Sequence, residues 1–80
     1  MRVGKDELYA WTVYDHPTDQ PDQFVARLWR FLPAPAAPTG RALTCDDLEG
    51  LRAMILAEHP DLICLGRVDD DDPKIVEVWI

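Results

Sequence analysis

Leu62–Val68 (LICLGRV) and Lys74–Ile80 (KIVEVWI) are both rich in apolar and β-branched residues, and five turn-forming residues, Asp69–Pro73, separate them. Two such runs across so short a break read as an antiparallel hairpin. A lone hairpin is not stable in water, so the rest of the chain must supply more strands or a helix to cover one of its faces. The whole chain is 80 residues, which makes residues 1–80 a single domain. A chain of this length buries only about 60–65% of the surface that its unfolded form exposes. It has room for one sheet and one or two helices, and little for an elaborate pocket.

Glu7–Tyr14, ELYAWTVY, reads as a further strand. Leu8, Ala10, Thr12 and Tyr14 share one side, and Tyr9, Trp11 and Val13 the other. Both sides carry large groups, as expected of a central strand. Asp15–Asp22, DHPTDQPD, is a loop by its prolines and aspartates. Gln23–Leu32, QFVARLWRFL, is ambiguous: Phe24, Leu28 and Leu32 fit helical spacing, whereas Val, Phe and Trp favour a strand. Pro33–Gly40, PAPAAPTG, reads as a proline-rich connector without regular structure. Thr44 suits a helix N-cap, with Asp47 three residues on, and a helix is expected from Cys45 to about Glu58. Leu48, Leu51 and Ile55 form its apolar stripe. Gly50 weakens it by about 1 kcal/mol relative to alanine unless close packing requires a glycine. His59-Pro60 ends it.

The chain contains no serine and no asparagine, which removes serine-nucleophile chemistry. Its two cysteines, Cys45 and Cys64, form no CxxC pair, and Cys64 reads as a buried thiol. No apolar run follows Met1-Arg2 and none reaches membrane-spanning length, so a cytoplasmic protein without membrane contact is expected. Net charge is −7. Residues 1–44 are balanced, with five acids and five bases, while residues 45–80 hold ten acids against three bases. Such a balance speaks against direct nucleic-acid binding, which needs a basic face. It suits a basic protein as partner.

The segment YAWTVYDHPTDQPDQFVARLW, with DDDPKIVEVWI, resembles a set of short bacterial and prophage proteins. Their pattern is roughly YxVYDHPxDxPDxFVxRxW near the start and DDPxIVEVW at the end. The match runs from Tyr9 to Trp29 and from Asp71 to Trp79, about half of the chain, and brings no assigned chemistry. It implies a strand at Gln23–Leu32. In size, charge and lack of a catalytic signature the chain also resembles phage anti-CRISPR proteins, a looser likeness.

Adjacent carboxylates about 6 Å apart in water repel by about 0.7 kcal/mol, and salt roughly halves this. A turn tolerates Asp69, Asp70, Asp71 and Asp72 without a metal. The spaced ligands and closing glutamate of a calcium loop are missing, so no metal and no cofactor are expected. Asp46, Asp47 and Glu49 make a second acidic cluster. Together with the aspartate run they are the expected contacts for a cationic partner. His16 and His59 each precede proline and read as segment ends. Cys45 reads as an ordinary first residue of the helix.

The expected fold is therefore α+β: an antiparallel sheet of about four strands with one helix on one face, in the order ββαββ. Two helices and three strands is the alternative. One helix leaves one sheet face bare, and that face must hold some of Tyr9, Trp11, Val13, Val25, Trp29, Ile75 and Trp79. Trp11, Trp29 and Trp79 are the expected apolar interface, unless the Pro/Ala connector folds over it.

Three functions compete. The first is a non-enzymatic acidic interaction protein that occupies a basic, nucleic-acid-binding surface of an effector complex, in the manner of an anti-CRISPR inhibitor. The second is a homodimeric adaptor. The third is a small enzyme using His16 or Cys45, and the expectation is that the chain is not an enzyme.

Overall fold

The computed structural model describes residues 4–66 and 74–80. Its elements run β1 (Leu8–Asp15), β2 (Phe24–Leu32), β3 (Ala37–Cys45), α1 (Leu48–Glu58), β4 (Cys64–Gly66) and β5 (Ile75–Trp79). One five-stranded sheet has the order β3-β2-β1-β5-β4. All its neighbours are antiparallel. The fold is α+β with a single helix, and the order ββαββ holds with one strand added before the helix.

The added strand is β3, which takes in the end of the proline-rich segment. Three features allow it. β3 is an edge strand, so Pro38 lacks an N–H only where one row of bonds is needed. Gly40 adopts φ 86, a value that L side chains rarely take. A register shift lets the chain step from Ala42, opposite Arg27, to Pro38, opposite Trp29. Thr39 Oγ1 meanwhile donates to the Leu28 carbonyl at 2.9 Å, so that group keeps a partner inside the irregular stretch.

β2 is a strand. Val25 and Ala26 are consecutive and both fully buried, one on each side of the sheet, which a helix with one apolar stripe would not produce. β1 is central, as its two-sided apolar pattern requires.

The helix starts later than its sequence suggests. Thr44 and Cys45 pair with Val25 and Phe24 at the end of β3 and are held extended. Asp47 is the N-cap and accepts from the Gly50 N–H at 2.5 Å. Leu51 and Ile55 are fully buried against the sheet, and the His59 N–H closes the last turn on the Ile55 carbonyl at 2.9 Å. The core is Trp11, Val13, Ala26, Leu28, Leu51, Ile55 and Trp79.

β5 pairs β4, as the hairpin pattern requires, and Ile63 extends the pairing through two 3.0 Å backbone bonds with Ile80. Simple alternation would put Ile75 with Glu77 and Trp79. A bulge intervenes: Val13 faces Glu77 but Tyr14 faces Ile75. Ile75 thereby joins the face opposite the helix, while Val76 packs against the core. The two sheet faces are then distinct. Tyr9, Trp11, Val13, Ala26, Leu28 and Trp79 lie under the helix. Thr12, Tyr14, Val25, Trp29, Phe31, Ile75 and Val78 lie on the other side, which carries no helix.

Candidate functional site

The helix start gathers Asp46, Asp47 and Glu49 as expected, but two of these carboxylates already have structural partners. Asp47 is engaged as the cap. Glu49 binds Arg52 at 2.8 Å one turn on. Asp46 receives only a long 3.5 Å contact from Gln23 Nε2 and is exposed. Gly50 is required by this cap: a Cβ there would sit 2.6 Å from Cys45 Sγ and 2.8 Å from Asp47 Oδ1. The other expected cluster, Asp69, Asp70, Asp71 and Asp72, lies outside the described residues.

The three tryptophans do not form one surface. Trp11 is 0% exposed and Trp79 is 9% exposed, both under the helix. Only Trp29 lies on the bare face. The apolar interface expected from the three therefore reduces to Trp29 and a different set of neighbours. Periodicity divides a strand into two sides without saying which of them a helix will cover.

That bare face holds a shallow cleft of about 260 Å3 lined by Thr12, Tyr14, Trp29, Phe31, Ala36, Ile75 and Val78. Its margins are partly roofed. Ala36 brings the end of the Pro/Ala connector to the cleft. Arg27 lies 5.2 Å over the Tyr14 ring and is held there by Asp19 of the β1–β2 loop. Beyond β5, the edge strand β4 leaves Ile63 65% and Leu65 58% exposed. Cys64, expected inside, is exposed on that same short edge, and both cysteines are free thiols.

One buried charge was not foreseen. Glu77 is 3% exposed. It accepts from Arg52 Nε at 3.1 and 3.2 Å, from Arg52 Nη2 at 2.7 Å, and from Trp79 Nε1. The hydrogen bonds that Arg52 donates to Glu77 push the Arg52 pKa up, so this guanidinium stays charged. The signal in the sequence is a single acid inside an otherwise apolar strand, IVEVW, which needs a cationic partner from the helix that covers it.

The histidines are apart in role. His16 has φ 47, bonds the adjacent Asp15 through Nδ1, and meets the Phe24 ring edge-on at 4.9 Å. His59 packs 6.3 Å from the Trp11 ring, beside Arg41, which lies 5.8 Å over the same indole. Burial, and then the charge of Arg41, lower the His59 pKa. Cys45 abuts the helix start as the last residue of β3. Among the described residues, no group of three or more His, Cys, Asp or Glu side chains is placed to hold a metal. No helix among them is long and apolar enough to cross a membrane.

Arg27, Arg41 and Arg52 each bind a carboxylate of their own chain: Asp19, Glu58, and the Glu49–Glu77 pair respectively. The arrangement can therefore do two things. It presents an excess of negative charge, and it presents an apolar, aromatic sheet face. The chain matches no protein-family model, no curated protein and no solved structure.

Proposed function

We propose that this protein is a small non-enzymatic interaction module that occupies a cationic protein surface, of the kind that otherwise binds nucleic acid. An inhibitor of an RNA-guided nuclease, as in the anti-CRISPR proteins, is the concrete form of this reading. The observation that carries it is the fate of the arginines. Arg27, Arg41 and Arg52 each engage a carboxylate of their own chain and are thereby drawn away from solvent anions, while the net charge stays at −7. Exposed carboxylates such as Asp46 then take the place that phosphates would hold on the partner.

The test is a competition. A guide-loaded bacterial nuclease is mixed with labelled target DNA and increasing amounts of the protein, at low and at high salt. The reading expects DNA binding to be lost at low salt and restored at high salt. It also expects Asp46→Asn, combined with Asp→Asn at Asp69, Asp70, Asp71 and Asp72, to weaken the inhibition several-fold. Undisturbed DNA binding at low salt across a panel of such nucleases would sink the nuclease form of the proposal.

A second reading, a homodimeric adaptor, draws on the bare sheet face. It expects a dimer by light scattering that Trp29→Ala weakens. A strict monomer at high concentration rules it out.

A further inference from the structure

We infer that two copies of this chain pair through the open edge of β4, β4 against antiparallel β4, joining their two five-stranded sheets into one. The inference is independent of the cation-seeking reading, and it uses a different surface from the helix-free face.

The first argument is the backbone. A sheet of this order has two edges, β3 and β4. The β3 edge is blunted: Pro38 has no N–H, Gly40 bends the strand at φ 86, a register shift interrupts the ladder, and Arg41 adds a charge. Leu62 to Gly66, LICLG, holds no proline and no charge. Ile63 and Ile80 exchange both of their backbone hydrogen bonds, at 3.0 Å each. The next pair, Cys64 and Trp79, is therefore one without hydrogen bonds between its members, and the Cys64 N–H and C=O point away from β5. Among the described residues no strand lies beyond them. Such an edge is a template for another extended strand.

The second argument is self-complementarity, which selects the occupant. An antiparallel mate must meet the outward N–H and C=O of Cys64 with one acceptor and one donor, and Cys64 of a second copy offers both. A two-fold axis at Cys64 sets Ile63 of each copy opposite Leu65 of the other. Ile63, 65% exposed, and Leu65, 58% exposed, are the most exposed large hydrophobic side chains among the described residues, and this single register covers both in both copies. The blunted β3 edge offers β4 no other mate within the sheet, so the pairing closes as a dimer and does not run on as a fibre. A register shift between Cys64 and Gly66, with Gly66 at φ 72, ends the regular strand. The contact is thus only a few residues long, below the about 800 Å2 a side of a stable complex, and the dimer is weak and reversible. Each copy carries a net −7, so salt screens a repulsion and association tightens as salt rises. Attraction to a cationic partner has the opposite salt dependence.

The test is sedimentation equilibrium at up to about 1 mM protein, which reaches a Kd of about 1 mM. The expected result is a monomer–dimer equilibrium that tightens with salt. In a mixture of isotope-labelled and unlabelled protein, nuclear Overhauser contacts between copies should join the methyls of Ile63 to those of Leu65. Leu65→Lys should weaken the dimer at least about ten-fold, although it lowers the net negative charge. That side chain lies outside the core, so the urea midpoint should stay in place. Cys64→Pro, which removes the outward N–H, should weaken the dimer likewise. If Cys64→Pro disturbs the fold, Leu65→Lys still decides. A monomer throughout that range overturns the inference. So does a dimer that Leu65→Lys leaves intact, or one whose contacts between copies centre on Trp29, since the helix-free face is then the interface. None of these results bears on the charge-based reading, which the nuclease competition tests.

Discussion

The two faces of the sheet solve opposite problems. Under the helix, the buried carboxylate is partnered: Glu77 accepts from Arg52 and Trp79, although the Trp11 indole N–H on the same face finds no acceptor among the described residues. On the other side Thr12 and Val25 are also buried, Tyr14, Trp29, Ile75 and Val78 are half-buried, Phe31 is exposed, and no helix packs over them. A face closed in this way sets stability. A face without a helix leaves Phe31 exposed and contributes less burial. If this contrast is right, mutations on the two faces must differ in kind as well as in size.

The largest expected effect lies on the closed face. Ile55→Ala removes a fully buried side chain and should cost about 2–5 kcal/mol in urea denaturation. Phe31→Ala on the open face should cost less than about 1 kcal/mol. Comparable losses at the two positions would break the comparison.

Next comes the buried pair. Arg52→Ala strands the Glu77 carboxylate, and loss of a buried partner costs about 3–5 kcal/mol. The arginine side chain is 36% exposed, and solvent screening reduces this to about 2–3 kcal/mol. Glu77→Gln, which still offers an oxygen to Trp79, should cost less than Arg52→Ala.

Gly50→Ala sharpens the contrast at the helix start. Helix propensity alone predicts a gain of about 1 kcal/mol. The crowding against Cys45 Sγ and Asp47 Oδ1 displaces the cap, worth about 1 kcal/mol, and overpacks the site by a further 1 kcal/mol or so, giving a net loss of about 1 kcal/mol. A stabilised Gly50→Ala protein would show that the cap is dispensable.

The smallest effect is a pH dependence. The folded state holds His59 below its ordinary value near 6.5, so the unfolded chain binds the proton first as pH falls. The His59 contribution is complete above about pH 6.5 and declines as pH drops through that value toward the folded pKa. The urea midpoint should fall between about pH 7.5 and about pH 5.5, by less in His59→Gln. An equal fall in both proteins would remove His59 from the account.

Much of this architecture was legible from the residues. The alternation in β1 and the stripe Leu48, Leu51 and Ile55 each stated a local period that the fold kept, and the hairpin runs stated a pairing that it kept. Three things were not legible. Pro38 argued against a strand, because composition does not reveal that a segment will sit on a sheet edge. Ile75 changed sides because a bulge adds one residue to one strand, an event decided between strands and not within either. Trp11, Trp29 and Trp79 look alike in sequence, and only the choice of covered face separates the two core residues from the surface one. For the candidate site, charge pointed to the helix start, but the cap and Arg52 claim Asp47 and Glu49. The cleft could be anticipated only as a face in need of cover.

The position of β5 has a consequence for how the chain reaches this state. The middle of the sheet joins the first strand to the last, with Trp11 opposite Trp79, so its central contacts span nearly the whole chain. Such pairings cannot form until β5 has been synthesised, and contacts of long sequence separation form slowly. Until β5 arrives, one side of β1 is an open edge beside an exposed indole. The nascent chain is then at its most vulnerable to aggregation just before β5 closes the sheet.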